Sequence, residues 1–166
     1  MTRLGISCLL VALAAATFAG PAAAQDLGIE VGKRAPAAVV RTLDGKAVDL
    51  GAYVGKIPMF LEFWATWCPR CHELEPALLA AEKKYGSRMK FIGVAVSVNQ
   101  TPARVKAYTA KHKLKHLIVF DTEGNAADAY DAPATSYVVV VDRTGKVVYT
   151  GVGGDQNLEA AIKKAL

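Results

Sequence analysis

Apolar positions along this chain fall into two rhythms, short continuous runs and steps of three or four residues, and the two alternate. Residues 37–41 and 46–50 flank Asp44-Gly45, a turn pair that predicts an N-terminal β-hairpin. Residues 57–64 form a nearly unbroken apolar run, the pattern of a central strand covered on both faces. Pro69 suits a first helical turn, where its missing N–H costs nothing. Leu74, Leu78, Ala81 and Tyr85 then recur at helical spacing until Gly86, with Pro76 expected to kink the helix.

Residues 91–98 predict a second buried strand, and Thr101-Pro102 cap a helix carrying Val105, Tyr108 and His112. A short strand over 116–120 ends in a turn at Asp121 to Gly124. Residues 137–141 and 147–150, joined by Asp142-Arg143-Thr144-Gly145, predict an antiparallel hairpin. Asp155 is expected to cap a last helix bearing Leu158, Ile162 and Leu166. Strands alternating with helices predict an α/β fold, a mixed central sheet with helices on both faces. No internal repeat or low-complexity tract interrupts it.

The N-terminus follows another pattern. Arg3 precedes an apolar stretch over 9–18, and Ala22-Ala23-Ala24 fits a small-residue cleavage site. Residues 1–24 are therefore expected to be a signal peptide cut before Gln25, directing the protein to the periplasm. The competing reading is an uncleaved anchor, but Gly20 and Pro21 interrupt the run before the ~20 apolar residues that a spanning helix needs. Cys8 precedes the apolar stretch, a poor placement for a lipid. Residues 25–34 then form a linker, and 35–166 one domain, long enough to bury its own core.

Cleavage would remove Arg3 and no acid, lowering the formal charge of the 166-residue chain from +5 to +4. That mild excess is weak evidence for any partner, and no nucleic-acid role is expected. The densest charge run, residues 111–116, is expected to be a solvated helix end, with His112 and His116 belonging to it. The 52% hydrophobic content is inflated by the leader and by alanine.

Of three cysteines, Cys8 falls in the leader, so the mature chain keeps only Cys68 and Cys71. A four-residue loop constrains an unfolded chain very little, so this pair is not a structural staple. The motif Cys68-Pro69-Arg70-Cys71 lies where the apolar strand ends and the helix begins, the placement of a redox motif. There the helix dipole favours the Cys68 thiolate, and Cys71, one turn on, can attack a mixed disulfide formed by Cys68.

Two rival classes use the same residues. Cys68-Pro69-Arg70-Cys71-His72 is formally a c-type haem attachment pattern, although the strands around it do not suit a haem protein. A Cu(I) or zinc module using Cys68, Cys71 and His72 is the other, but a closed zinc site needs four ligands and no second cysteine pair exists. No metal or cofactor is expected. Neither cysteine has the upstream proline and threonine spacing of the peroxiredoxins.

Phe63-Trp64-Ala65-Thr66-Trp67-Cys68-Pro69-Arg70-Cys71, with Pro76 five residues on, carries a resemblance. From about residue 32 to the end the chain resembles the thioredoxin superfamily, and within it the exported TlpA/ResA-type thiol–disulfide oxidoreductases. The N-terminal hairpin, the helix–strand insert over 102–120 and the terminal hairpin with Gly145 fit that subgroup. The resemblance implies a thioredoxin-like fold with Cys68 as exposed nucleophile and Cys71 as shielded resolving thiol. It implies that Trp67, Pro69, Arg70 and Pro133 meet the substrate. Arg70 either tunes the thiolate or is an exposed charge without that role.

Glu62 corresponds to an acid that lies beneath the disulfide in thioredoxin. Buried, its pKa would rise and it would move the proton of Cys71; at a sheet edge it would be solvated. Two departures stand out. Relatives often place an acid three residues after the second cysteine, where this chain has Leu74, and the flanking Glu73 and Glu75 are expected to be solvated. The fold's cis-proline falls to Pro133, or Ser136 takes its place. The resemblance further implies protein disulfide substrates, a reductase direction rather than an oxidant one, a membrane thiol electron donor and a monomer.

Overall fold

The computed structural model describes residues 28–166, so the leader, its cleavage site, Cys8 and residues 25–27 of the linker lie outside the described residues. Seven strands form one mixed sheet in the order β2-β1-β5-β4-β3-β6-β7. The strands are β1 (Val39–Thr42), β2 (Ala47–Asp49), β3 (Met59–Trp64), β4 (Lys90–Val96), β5 (Leu117–Asp121), β6 (Tyr137–Val141) and β7 (Val147–Val152). β3, β4 and β5 run parallel, and hairpins β1–β2 and β6–β7 close the two edges antiparallel.

β3 lies between β4 and β6, and all six of its residues are buried. Because strand side chains alternate, its two faces feed two cores. Leu61 and Phe63 join Ile92, Val94, Val119 and Val139 on one face, which the N-terminal segment and helix α3 (Asn125–Ala129) cover. Phe60, Glu62 and Trp64 point to the other. There Phe60 stacks on Phe91 with ring centroids 5.1 Å apart. Helices α1 (Pro69–Tyr85) and α4 (Leu158–Lys163) cover that part, and α2 (Pro102–His112) covers Trp64, Ile118 and Phe120.

The helix α1 starts and stops where its residues dictate. Cys68 is the N-cap, its sulfur accepting from the Cys71 N–H at 3.2 Å, and Pro69 takes the first turn. Leu74, Leu78, Ala81 and Tyr85 form the buried stripe. At the far edge Gly145 adopts φ +88 in the turn between β6 and β7, a left-handed conformation that a side chain would strain.

Three expectations change. Asn157, not Asp155, caps α4 by accepting from the Ala160 N–H, and Leu166 is exposed beyond the helix. The short α3 is not predicted by the apolar pattern. It forms because Asp121, at the end of β5, accepts from the Ala126 and Ala127 N–H groups. β4 stops at Val96, two residues early, where Gln100 turns back onto the Val96 carbonyl.

Candidate active site

Cys68 and Cys71 form a disulfide, with Cα atoms 5.3 Å apart, at the start of α1. Cys71 is 5% exposed, shielded as expected, but Cys68 is only 2% exposed, which corrects the expectation of an exposed nucleophile. The bond to Cys71 holds Cys68 inside a cluster with Trp64, Ala65 and Val105. What is exposed is the rim, Trp67 at 39% together with Pro69 and Arg70. Arg70 pairs at 3.6 Å with Glu73, itself exposed, so its guanidinium is directed along the helix surface.

Glu62 takes the buried alternative. It sits in central β3, paired with Gly93 and Val138, and is 5% exposed. Burial, and then the nearby charge of Glu75, push its carboxyl from the ordinary 4.5 up to about 8. Its Oε1 has no hydrogen-bond partner among the described residues. Glu62 and Cys71 line one small recess with Trp64, Glu75, Tyr108 and His116.

The structure corrects the reading of three polar residues around that recess. Glu75 is not solvated: it accepts from Tyr108 Oη at 2.8 Å and contacts His112 Nδ1 at 2.8 Å. Four residues after Cys71, it shares that residue's helix face, the spacing signal that would have located it. His112 is half-buried by this contact, and His116 meets Glu82 at 3.2 Å with only 3% of its side chain exposed. Only the lysines of that run face solvent, because Leu114 and the histidines turn inward against α1 and the sheet. His72 contacts the Thr66 carbonyl at 3.1 Å and stacks on Tyr108. Among the described residues no three His, Cys, Asp or Glu side chains gather as a metal site.

Every peptide bond among the described residues is trans, so Pro133 does not supply a cis bond. Pro133 is exposed, whereas Ser136 is buried immediately before β6 with φ +62, its hydroxyl donating to the Gly153 carbonyl. One element escaped the sequence reading. Gln100 accepts from the Thr66 N–H at 2.9 Å and ties the loop before Cys68 to the end of β4. Beside it an apolar cleft of about 440 Å³ opens, lined by Trp67, Val96, Val98, Ala134 and Thr135. Trp67 is fixed at its edge by an Nε1–H bond to the Val98 carbonyl.

A buried cysteine pair capping the helix that follows a central parallel strand defines a thioredoxin-like dithiol protein. A family model described as Redoxin matches residues 30–166. The chain belongs to the Redoxin family, as a TlpA/ResA-like member of the thioredoxin superfamily and a thiol–disulfide oxidoreductase. It is 32% identical over 139 residues to the thiol-disulfide oxidoreductase ResA of Bacillus thuringiensis subsp. konkukian, spanning 82% of this chain and 79% of that protein. To ResA of Bacillus subtilis it is 30% identical over 151 residues, 91% and 83% of the two chains. The thioredoxin domain of a thiol-disulfide oxidoreductase from Bacteroides vulgatus shares the fold, with a TM-score of 0.71 at 22% identity over 83% of this chain and 99% of that one.

Proposed function

We propose that this chain is an exported, monomeric reductase of protein disulfides, resupplied with electrons by a membrane thiol donor. The observation that carries the reading is buried Glu62 lining the same recess as Cys71, the shielded half of the Cys68–Cys71 pair. In the reduced protein the Cys68 thiolate, favoured by the α1 dipole and by the Cys71 N–H, attacks a substrate disulfide. A Cys68–substrate mixed disulfide forms and one substrate sulfur leaves as thiolate. Glu62, in the deprotonated fraction that its raised pKa leaves, takes the proton of Cys71. The Cys71 thiolate then attacks Cys68 Sγ, closing the internal disulfide and releasing the second substrate sulfur. Two electrons pass to the substrate, and the donor returns them to the pair.

Trp67, Pro69 and Arg70 form the exposed rim against which a substrate would lie, and the segment carrying Pro133 contributes Ala134 and Thr135 to the cleft beside it. Export rests on the leader pattern of residues 1–24. The test is the redox state in the exported compartment, trapped by acid quench and alkylation in a host with intact periplasmic electron supply. A reductase holds Cys68 and Cys71 mainly as thiols. A pair that stays oxidised there makes the protein an oxidant.

A further inference from the structure

Gly93, lacking a side chain, lets Ile118, Trp64 and His116 close in beside Glu62, the last two each with a ring nitrogen. Glu62, Gly93 and Ile118 are successive partners across β3, β4 and β5, so their side-chain positions share the helix-covered face. A Cβ at Gly93 would lie 2.8 Å from Ile118 Cδ1, 2.9 Å from Trp64 Nε1 and 3.3 Å from His116 Nε2, so these side chains pack directly over the glycine. Glu62, Trp64 and His116 border, with Cys71, Leu78 and Leu114, a recess of about 10 Å³, room for roughly one water. Two of its polar atoms, Trp64 Nε1 and Glu62 Oε1, are buried and lack a partner among the described residues. A buried donor and a buried acceptor facing one water-sized hollow are the setting in which an ordered water is retained.

His116 completes it. Its Nδ1 is engaged by Glu82 on α1, a contact that favours the tautomer with the proton on Nδ1. Nε2, the nitrogen facing the hollow, is then left with a lone pair. We propose that the recess beside Glu62 holds one water, bound by Trp64 Nε1, Glu62 Oε1 and His116 Nε2, and that this water passes the Cys71 proton from Glu62 to His116.

The step balances without any other reagent. Cys71 Sγ–H gives its proton to Glu62 as its sulfur attacks Cys68. Protonated Glu62 donates to the water, the water donates to His116 Nε2, and the imidazolium, paired with Glu82, releases a proton to solvent. Glu82 provides that outlet, with a fifth of its side chain exposed. Reversal of the same transfers returns a proton to Cys71 when the donor reduces the Cys68–Cys71 disulfide. The titratable groups facing Glu62 are Cys71 and Glu75 from α1, Tyr108 from α2 and His116 from the turn into β5. Glu75 is the less suitable exit, since both its oxygens are already held by Tyr108 and His112. His116 is thus a relay residue acting through Glu62.

This inference rests on Glu62 as proton acceptor for Cys71, and a variant set separates the two. Resolution of a preformed Cys68 mixed disulfide is followed by stopped flow across pH 5–9. His116→Gln is expected to slow resolution about tenfold near neutral pH while leaving the rate of Cys68 alkylation unchanged, and to add nothing in a Glu62→Gln background. Gly93→Ala, whose Cβ would push Trp64 Nε1 and His116 Nε2 out of place, should slow the same step with His116 intact. If Glu62→Gln slows resolution and His116→Gln does not, the relay is overturned and the role of Glu62 stands. If Glu62→Gln itself has no effect, both fall. Should a variant fail to fold, the wild-type rate in mixtures of H2O and D2O decides. A bowed dependence, from several protons moving together, supports the relay, and a linear one overturns it.

Discussion

Tyr108 lies nearly flat on His112, ring centroids 3.8 Å apart and planes inclined by 14°, and both rings are bound to the carboxylate of Glu75. This arrangement fixes a negative charge on α1 beside buried Glu62, and that charge raises the Glu62 pKa after the larger effect of burial. Glu75→Gln removes the repulsion, so the Glu62 pKa is expected to fall from about 8 toward its ordinary value without reaching it. Carboxyl ¹³C titration of the oxidised protein measures the shift directly. An unchanged value would mean that burial alone sets it.

Glu62 also makes stability depend on pH. Its folded pKa lies above the 4.5 of the unfolded chain, so between those values the native state holds a proton that the unfolded state has released. The stabilisation is fully present below about pH 4.5 and is lost as pH rises through about 8. Urea unfolding of the oxidised protein should therefore show stability falling by on the order of 2–4 kcal/mol from pH 5 to pH 9. Glu62→Gln should flatten that slope and be the more stable protein at the alkaline end.

The two cysteines are not interchangeable. Cys68→Ser is expected to cut insulin reduction by at least about 100-fold, because it removes the nucleophile at the helix start. Cys71→Ser should retain attack but not release, accumulating mixed disulfides with exported proteins that survive non-reducing electrophoresis. Neither variant nor the wild type should show a Soret band when made in a host that matures c-type cytochromes. A Soret band would revive the haem reading of Cys68, Cys71 and His72.

Leu74 stands where relatives of this subgroup often carry an acid, and here it is fully buried between α1 and the sheet. Leu74→Ala should destabilise the protein by about 2–5 kcal/mol through lost burial and a residual cavity. Chemical unfolding checks this. A cost below 1 kcal/mol would show that α1 settles into the space.

What the chain announces by itself is local. The Cys68–Cys71 spacing, Pro69 in the first helical turn, the stripe from Leu74 to Tyr85 and the Asp44-Gly45 and Asp142 to Gly145 turns depend on neighbours within a few residues. Their geometry is set by backbone dihedrals and the helical repeat, and the structure places each as read. The depth of Glu62 was open because strand alternation assigns a face without saying whether another strand lies on either side. Pairing with both β4 and β6 settles it. His112 and His116 look like part of a lysine-rich surface until α1 brings Glu75 and Glu82 against them, 37 and 34 residues away in the chain. Ser136 and the recess shared by Glu62, Trp64 and His116 belong to the same class. Each depends on which distant side chain or carbonyl lies opposite, and only packing of the sheet against its helices brings those groups together.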